Sequence, residues 1–499
     1  MFKKSDQSKV IIAGAGPGGL AAALLLAAKG LEVDVFERRS QVGGRTSHLL
    51  ADGFTFDTGP TFFLYPQLLE EIFAEAGADL SAEVEMVKLD PQYRITFENG
   101  PSLDATPDLE QMEREVAKIS RQDAGNVRAF MKENARKLEL LRPVLQKPFN
   151  GLKSFIDPSL ISALPAVRPW ASLDKDLHRH FKDPRTRLAF SFQSKYIGMS
   201  PYRCPSLFSI LSSLEYEYGV FHPIGGCAAV SEAMARVARR MGVTFHLDEP
   251  VEGLNFEGKR VTGIQTKTGS HRCDALFINA DFARAMSRLV PDHLLKRWKQ
   301  DEIKDKRFSC STFMLYLGID GIYDDLPHHT ILISDDYETN LDDIENKHCL
   351  SESPSFYVQN ACVTDPGLAP EGKSTLYILL PVTHQHENVN WVKEAKRFRD
   401  LAMSRLSLIG VDNIQDRILS ETMITPTTWD QDYEIHQGAV FNLSHNIGQL
   451  LHKRPRNRFE ELKGVYLTGG GTHPGSGLPV IYESARISSN LALQDLNKV

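Results

Sequence analysis

Three glycines near the start of the chain, Gly14, Gly16 and Gly19, are spaced as G-x-G-x-x-G. The first glycine of such a motif allows a tight turn, the second lets the backbone approach a pyrophosphate, and the third lets a helix pack closely on a strand. Glu37 follows about twenty residues later, where an acidic side chain can bind a ribose hydroxyl. This spacing predicts a dinucleotide-binding turn.

The residues after Glu37 bear on which dinucleotide is bound. Arg38 is followed by a second glycine pair and an arginine, Val42-Gly43-Gly44-Arg45. This suits a cofactor whose other phosphate-bearing half runs across the sheet. FAD has that shape, whereas a nicotinamide cofactor usually leaves towards a catalytic domain, so the pattern favours FAD.

A second glycine-rich turn lies near the end of the chain, at residues 469–479. It separates a short strand, Gly464 to Thr468, from a predicted helix over residues 480–493. A strand, a glycine-rich turn and a helix place free N–H groups at a helix N-terminus, where they can face an anion or a flavin. The alternative is a surface loop, but so many glycines indicate close approach of the backbone to another group.

The elements that must position these turns recur along the chain. Val10 to Ile12 predicts a strand, residues up to Gly30 a helix, and Glu32 to Phe36 a second strand. Helix and strand alternate again over residues 221–281, so we expect the chain to re-enter the nucleotide-binding domain there. Alternating apolar residues around 310–317, 356–358 and 376–380 predict a separate antiparallel sheet that forms the floor of a substrate pocket.

The middle of the chain has a different character. Residues 108–140 predict two helices with a break near 122–125. Residues 148–173 are apolar, proline-broken and weakly basic, and include Leu152, Lys153 and Phe155. Such a segment can lie on a membrane surface, but a pair of core-facing helices explains the same spacing.

Composition excludes several classes of protein. The 499 residues allow two to four domains, and the net charge of -7 argues against a nucleic-acid partner. Six scattered cysteines without a C-x-x-C pair predict neither a disulfide framework nor a structural zinc site. The N-terminus lacks the apolar region of a secretory signal, and no apolar run approaches the roughly 20 residues that span a bilayer. We therefore expect a cytoplasmic protein, soluble or peripheral on a membrane, without a metal site.

Residues 10–19, together with Glu37 and Gly43-Gly44-Arg45, resemble the amine-oxidase-like FAD superfamily. Within it, Gly53-Phe54-Thr55-Phe56-Asp57-Thr58-Gly59-Pro60-Thr61 and residues 471–479 are similar to the bacterial and fungal carotenoid desaturases, which act on phytoene or 4,4'-diapophytoene. Further similar segments lie at 190–193, 205–208, 219–221, 368–372 and 425–426. The resemblance implies a Rossmann-like, glutathione-reductase-like α/β FAD domain interleaved with an α+β substrate domain and a helical region.

The resemblance also implies a reaction and its partners. A long apolar polyene, delivered from a membrane, would lose hydride to the flavin and a proton from the neighbouring carbon, and oxygen or a quinone would reoxidise the flavin. A carotenoid oxidase, ketolase or isomerase has almost the same motifs, and a flavin-binding relative without turnover is an alternative from a different class. The predicted cofactor-binding residues are Gly14, Gly16, Gly19, Glu37, Arg38, Gly44, Arg45, Gly59, Pro60, Thr61, Val251, Asp281, Gly470, Gly471, Gly477, Pro479 and Val480.

Candidates for proton handling are few. The family has been argued to use an Asp followed three residues later by Arg. Asp157 matches the Asp, but Leu160 stands in the Arg position, and Asp157 is equally suited to cap a helix before Pro158. His473 lies in the second turn, where it can polarise the cofactor or serve a structural role.

The predicted domain boundaries follow from these segments. The FAD-binding domain takes residues 1–100, 221–290 and 456–499. The helical, membrane- and substrate-contacting region takes 101–220, and the substrate domain with its antiparallel sheet takes 291–455.

Overall fold

The computed structural model describes residues 8–149, 151, 154 and 156–497. Leu152, Lys153 and Phe155 of the predicted apolar segment lie outside these residues.

The helices and strands are numbered here in chain order. The strands are β1 (Lys9–Ala13), β2 (Glu32–Phe36), β3 (His48–Ala51), β4 (Phe54–Asp57), β5 (Phe63–Leu64), β6 (Met86–Lys88), β7 (Tyr93–Phe97), β8 (Ser102–Ala105), β9 (Val220–Pro223), β10 (Thr244–His246), β11 (Gly253–Glu257), β12 (Arg260–Thr266), β13 (Gly269–Arg272), β14 (Ala275–Ile278), β15 (Ser311–Asp320), β16 (His329–Ile333), β17 (Phe356–Gln359), β18 (Lys373–Val382), β19 (Ile418–Ile424) and β20 (Val465–Leu467). The α-helices are α1 (Pro17–Ala28), α2 (Gln67–Glu75), α3 (Leu80–Glu83), α4 (Leu109–Ile119), α5 (Arg121–Ala124), α6 (Val127–Leu145), α7 (Pro158–Val167), α8 (Leu173–Leu177), α9 (Pro184–Ala189), α10 (Ile210–Tyr218), α11 (Cys227–Arg240), α12 (Phe282–Leu289), α13 (Gln300–Lys304), α14 (Tyr337–Asp342), α15 (Trp391–Arg405), α16 (Pro426–Gln431) and α17 (Leu478–Asp495).

A five-stranded parallel sheet, in the order β10-β2-β1-β14-β20, forms the nucleotide-binding half of the molecule. The strand order reverses direction at β1, as in doubly wound folds that bind dinucleotides at the carboxyl ends of their strands. The sheet draws its strands from three separate stretches of the chain. This arrangement confirms the predicted Rossmann-like α/β fold.

Alternating side chains of β1 are buried on opposite faces of this sheet. Val10 and Ile12 pack against α1, α11 and α17, whereas Ile11 and Ala13 pack against β11, β12 and α12. Strands covered on both faces read as continuous apolar runs, which explains the sequence Val10-Ile11-Ile12-Ala13.

A second, seven-stranded sheet has the order β19-β15-β18-β17-β16-β7-β8. Its strands are antiparallel except for the β16–β7 pair, which confirms the predicted separate sheet and extends it with residues 93–105. On β15, Phe313 and Leu315 face away towards α15, while Thr312 and Met314 face the cavity described below. The sheet therefore covers a helix layer with one face and lines a pocket with the other.

Helices α4 to α10 form the helical region. The predicted break near 122–125 falls at the short helix α5, after which α6 begins at Val127. Helix α7 packs on α6 through Ala163 and Val167, while Ile161 on its other side is exposed. None of the helices in the described part of the chain is long and apolar enough to cross a bilayer.

Candidate functional site

A single cavity of about 1390 Å³ extends from the carboxyl ends of the parallel sheet to the seven-stranded sheet and the helical region. Its volume exceeds the roughly 300–1,000 Å³ of a typical small-molecule site. The cavity therefore has room for more than one ligand of ordinary size. Of the predicted cofactor-binding residues, it is lined by Gly14, Gly16, Glu37, Arg38, Gly44, Arg45, Gly59, Pro60, Thr61, Val251, Asp281, Gly470, Gly477, Pro479 and Val480.

The first glycine turn has no space for side chains. Gly14 has a φ of +105°, and a Cβ added there would lie 2.5 Å from the main-chain oxygen of Asn279. At Gly16, a Cβ would lie 3.0 Å from Nδ2 of Asn279. Gly19 does not line the cavity, and its Cβ would lie 2.2 Å from the oxygen of Gly14. Gly19 thus serves the close packing of α1 on the turn, and Gly14 and Gly16 face the ligand space.

Asn279, which directly follows β14, joins the ends of three strands. Its Nδ2 donates to the oxygen of Gly14 at 3.1 Å, and its Oδ1 accepts from Thr468 Oγ1 at 3.2 Å. Because Gly14 follows β1 and Thr468 follows β20, this side chain ties both glycine turns to the middle of the sheet.

Glu37 is buried at the end of β2, on the cavity wall. One carboxylate oxygen accepts from the N–H of Ala15 and the other from the N–H of Arg39, both at 2.9 Å. A carboxylate can accept about four hydrogen bonds, so each oxygen retains capacity for a ribose hydroxyl.

The second glycine turn leads into α17. Gly477, the N-cap residue, has a φ of +115°, and no side chain caps the helix. Gly471 does not line the cavity, since its Cβ would lie 2.7 Å from Cβ of Phe282. The guanidinium of Arg454 is fully buried behind the turn and donates to main-chain oxygens. Its acceptors are Gly470 (2.8 Å), Thr472 (3.2 Å) and Leu443 (3.1 Å).

These features fit an FAD. Helix α1 also lacks a side-chain cap, so two helix N-termini with free N–H groups open on the same cavity. Each carries a partial positive charge that favours phosphate or another electron-rich group. The acidic Glu37 lies on the same wall, as a ribose requires.

Three tyrosines of the seven-stranded sheet hold the loop 58–61 against the cavity. The hydrogen bonds are Tyr316 OH to Thr58 O (2.5 Å), Tyr377 OH to Gly59 O (2.7 Å) and Tyr357 OH with Thr61 Oγ1 (2.7 Å). Tyr357 and Tyr377 also line the cavity. These bonds join the seven-stranded sheet to the loop, and only the fold reveals the tyrosines as site residues.

Three other charged residues predicted to contact the cofactor also line the cavity, namely Arg38, Arg45 and Asp281. Arg45 is half-buried, and its loss of hydration lowers its pKa while Asp281 opposes that shift. Asp281 caps α12 by accepting from the N–H of Arg284 at 3.0 Å, and burial raises its pKa. Arg38 donates to the main-chain oxygen of Asp432.

The two catalytic candidates lie in different places. Asp157 caps α7 by accepting from Ser159 N at 2.8 Å and pairs with Lys147 at 3.1 Å, and it does not line the cavity. The Lys147 ammonium lowers the pKa of Asp157. His473 does line the cavity, and burial lowers its pKa to about 4, so its imidazole is neutral at pH 7.

Comparison with known proteins places this architecture in a family. Residues 17–493 match the model of the flavin-containing amine oxidoreductases. The chain is 42% identical over 492 residues to a 4,4'-diapophytoene desaturase (4,4'-diapolycopene-forming) of Methylomonas sp., covering 98% of this chain and 96% of the relative. It is 37% identical to an all-trans-zeta-carotene desaturase of Myxococcus xanthus, covering 98% and 94%.

Among solved structures, a putrescine oxidase variant superimposes with a TM-score of 0.64 at 15% identity, covering 98% of this chain and 99% of that one. At this identity the likeness concerns the fold alone. The match of nearly the whole chain, joined to the two glycine turns on one cavity, establishes that the protein belongs to the flavin-containing amine oxidoreductase family and is an FAD-dependent oxidoreductase.

Proposed function

We propose that the protein desaturates an acyclic carotenoid precursor, phytoene or 4,4'-diapophytoene, with FAD as the hydride acceptor. The relative that shares 42% of its residues is named for the C30 precursor, so 4,4'-diapophytoene is the first substrate to test. The observation that carries the proposal is the continuity of the cofactor turns with a long apolar space.

Beyond the glycine turns, the cavity wall is mainly aliphatic and aromatic. Helices α6, α7 and α10 and the seven-stranded sheet all contribute, and representative lining residues are Leu138, Leu141, Leu160, Leu164, Leu211, Leu214, Met314 and Leu379. A polar amine or sugar would lose its hydration in such a space without compensation, whereas a polyene gains from the burial.

The chemistry asks little of the protein beyond position. Loss of hydride from an allylic carbon leaves a charge that the adjacent double bond delocalises, so no strong nucleophile is required. FAD supplies the acceptor for the hydride. The side chains of the cavity hold the polyene in line and exclude water, which together account for much of the rate enhancement in such sites.

We further propose that the substrate arrives from a membrane surface near α7. Leu160 and Leu164 of this helix line the cavity, while Ile161 is 52% exposed and Trp170, just beyond the helix, is 74% exposed. Exposed apolar side chains beside residues that line a cavity are typical of a surface that contacts lipid or another apolar partner.

The activity is tested with purified, FAD-loaded protein and liposomes that contain either precursor. Products are separated chromatographically and identified by absorption, in air and anaerobically with a quinone, so that the electron acceptor is identified in the same experiment. New conjugated double bonds support the proposal. Oxygenated or merely isomerised products would point to an oxidase, ketolase or isomerase, and no conversion of either precursor would refute desaturation.

The dependence on FAD is tested with a matched pair of glycine variants. Gly16→Val should abolish FAD retention, because even a Cβ there would crowd Asn279. Gly125→Val is the control, since no atom lies within 4 Å of its added Cβ and its φ of -66° is ordinary. Normal flavin content in Gly16→Val would contradict the role of the first turn.

Membrane contact is tested by flotation with liposomes. Trp170→Glu should reduce the fraction of protein that floats, whereas Val392→Glu should not, although Val392 is 95% exposed. Val392 lies on α15, which packs on the face of the seven-stranded sheet that points away from the cavity. Equal flotation of the Trp170 variant and wild type would refute the proposed surface.

A further inference from the structure

A hydrogen-bonded chain leads from the cavity wall into the protein beside the loop 58–61. Thr61 Oγ1 and Tyr357 OH lie 2.7 Å apart, and Tyr357 OH lies 2.8 Å from Nδ1 of His329. Thr61 and Tyr357 line the cavity, while His329 is fully buried behind them. The phenol of Tyr357 on the cavity wall is thus hydrogen-bonded to the imidazole of His329, which does not line the cavity.

The register of the seven-stranded sheet creates this contact. On the antiparallel strands β16 and β17, Tyr357 pairs with Ile331 and His329 pairs with Gln359. His329 is therefore the diagonal neighbour of Tyr357 on the same face of the sheet, within reach of a long side chain. The ring of Phe62 stacks on His329 at 4.1 Å and holds it in place.

The imidazole of His329 is neutral and incompletely bonded. Burial lowers its pKa well below the ordinary value, and the neighbouring His222 lowers it further. Its Nε2 has no hydrogen-bond partner among the described residues. A buried polar atom without a partner destabilises a fold, a cost that proteins commonly carry at functional sites.

We propose that Tyr357 and His329 accept the proton that the polyene loses, an inference that rests on the proposed desaturation. One allylic carbon releases a hydride, which takes both electrons of its C–H bond to FAD. The neighbouring carbon gives its proton to the oxygen of Tyr357 as the proton of Tyr357 moves to Nδ1 of His329. The electron pair of the second C–H bond becomes the new C=C bond, and the imidazolium later returns its proton through Tyr357 to water as the product leaves.

A weak base is adequate for this task. A proton next to a carbon that has lost hydride is far more acidic than an imidazolium, so transfer to His329 is downhill even though burial makes it a poor base. The same weakness lets the imidazolium release the proton again at neutral pH. Tyr357 is the catalytic residue of the pair because it faces the substrate space, and His329 acts through it.

The test compares Tyr357→Phe and His329→Gln with wild type in single turnovers on 4,4'-diapophytoene and phytoene. FAD content and polyene binding, followed by quenching of flavin fluorescence, should stay within about twofold of wild type. The rate of double-bond formation should fall about 100-fold or more, in the range of positioned acid–base groups. Deuterium at the carbon that loses its proton should then slow the variants more than it slows wild type.

Two comparisons separate proton transfer from a structural role. Gln at position 329 can still accept a hydrogen bond from Tyr357 but cannot take its proton. If His329 only holds Tyr357 in place, His329→Gln should keep the wild-type rate, whereas the proposal predicts that the rate falls. Thr61→Val removes the bond between the loop and Tyr357 but keeps the bond to His329, so its rate per bound FAD should fall much less than that of Tyr357→Phe. If Tyr357→Phe loses its FAD, His329→Gln provides the test of the proton pathway, because that variant keeps the hydrogen bond between Tyr357 and Thr61 of the loop.

The outcomes distinguish the two proposals. A wild type that converts neither precursor refutes the proposed function, and the proton pathway with it. A wild type that is active while His329→Gln keeps its rate within about threefold overturns only the proton pathway. The proton pathway is likewise overturned if the rate per bound FAD of Thr61→Val falls as far as that of Tyr357→Phe.

Discussion

Replacing Arg454 by Met should release the second glycine turn and weaken FAD binding. The side chain is fully buried, and its hydrogen bonds end on main-chain oxygens of the turn, at Gly470 and Thr472, and on that of Leu443. Met fills a similar volume without a donor, so the three oxygens lose their partners. Gly470 lines the cavity, so movement of the turn changes the surface that meets the cofactor.

The expected change in overall stability is small because two effects oppose each other. Burial lowers the pKa of Arg454 from 12.5 to about 9, which corresponds to about 5 kcal/mol of lost hydration for the charged group. The three hydrogen bonds from a charged donor each contribute about 1.5–3 kcal/mol. Arg454→Met removes both, so the free energy of unfolding should fall by only about 0–4 kcal/mol.

The effect on cofactor binding is separate from this balance of stability. We expect the Kd for FAD of Arg454→Met to rise at least about tenfold, or ~1.4 kcal/mol, because the turn is no longer held. The Kd of Arg454→Lys should lie between those of wild type and Arg454→Met, since an ammonium keeps the charge but lacks the planar guanidinium that reaches several oxygens at once. FAD titration of the apoprotein and urea unfolding measure the two quantities. A Met variant that is folded and binds FAD with the wild-type Kd would refute this reasoning.

Three further outcomes are expected. Gly14→Ala should lose FAD as well as stability, because its Cβ would lie 2.5 Å from the oxygen of Asn279 at a φ of +105°, and unchanged flavin content would contradict this. Burial raises the pKa of Glu215 from 4.5 to about 7, so the folded chain holds a proton that the unfolded chain releases and stability falls as the pH rises through this range. The free energy of unfolding of Glu215→Gln, relative to that of wild type, should therefore rise by up to about 3 kcal/mol between pH 4 and pH 8. Urea unfolding measures this difference, and a difference that does not change with pH would disprove the raised pKa of Glu215. Lys137→Met should lower the free energy of unfolding by about 3 kcal/mol, because it breaks a fully buried 2.8 Å ion pair with Asp176, and a loss below about 1 kcal/mol would show that the pair is worth no more than a surface one.

Local sequence predicted the elements around each glycine turn closely. The strand expected at Val10 to Ile12 is β1, and the helix expected over residues 480–493 is α17, which begins two residues earlier and ends two later. Turn chemistry explains this success, since a glycine at positive φ and an uncapped helix N-terminus are properties of a few adjacent residues. The antiparallel sheet was likewise predicted from the period-two alternation of its strands.

Residues that act through distant partners had no such signal. Asn279 contacts Gly14 across 265 positions, and the three tyrosines reach loop 58–61 from strands that lie about 250–320 residues away. A single Tyr or His in a strand is predicted to be an ordinary core residue. The alternation of apolar residues predicts that the side chain is buried, but it does not predict which group the polar end of that side chain contacts. Asp157, by contrast, was singled out by family resemblance, and the structure places it at the N-cap of α7.

The sequence by itself predicted a dinucleotide-binding chain, with a glycine-rich turn near each end and an apolar region between them. These conclusions rest on glycine spacing and composition, which short-range sterics and hydrophobicity translate directly into structure. Only the tertiary structure decided that both turns, the tyrosine-held loop and α7 surround one cavity, and that His329 lies behind Tyr357. Strand order and register set those contacts. Both depend on the packing of the whole chain, because a strand can pair with another strand that is distant in sequence.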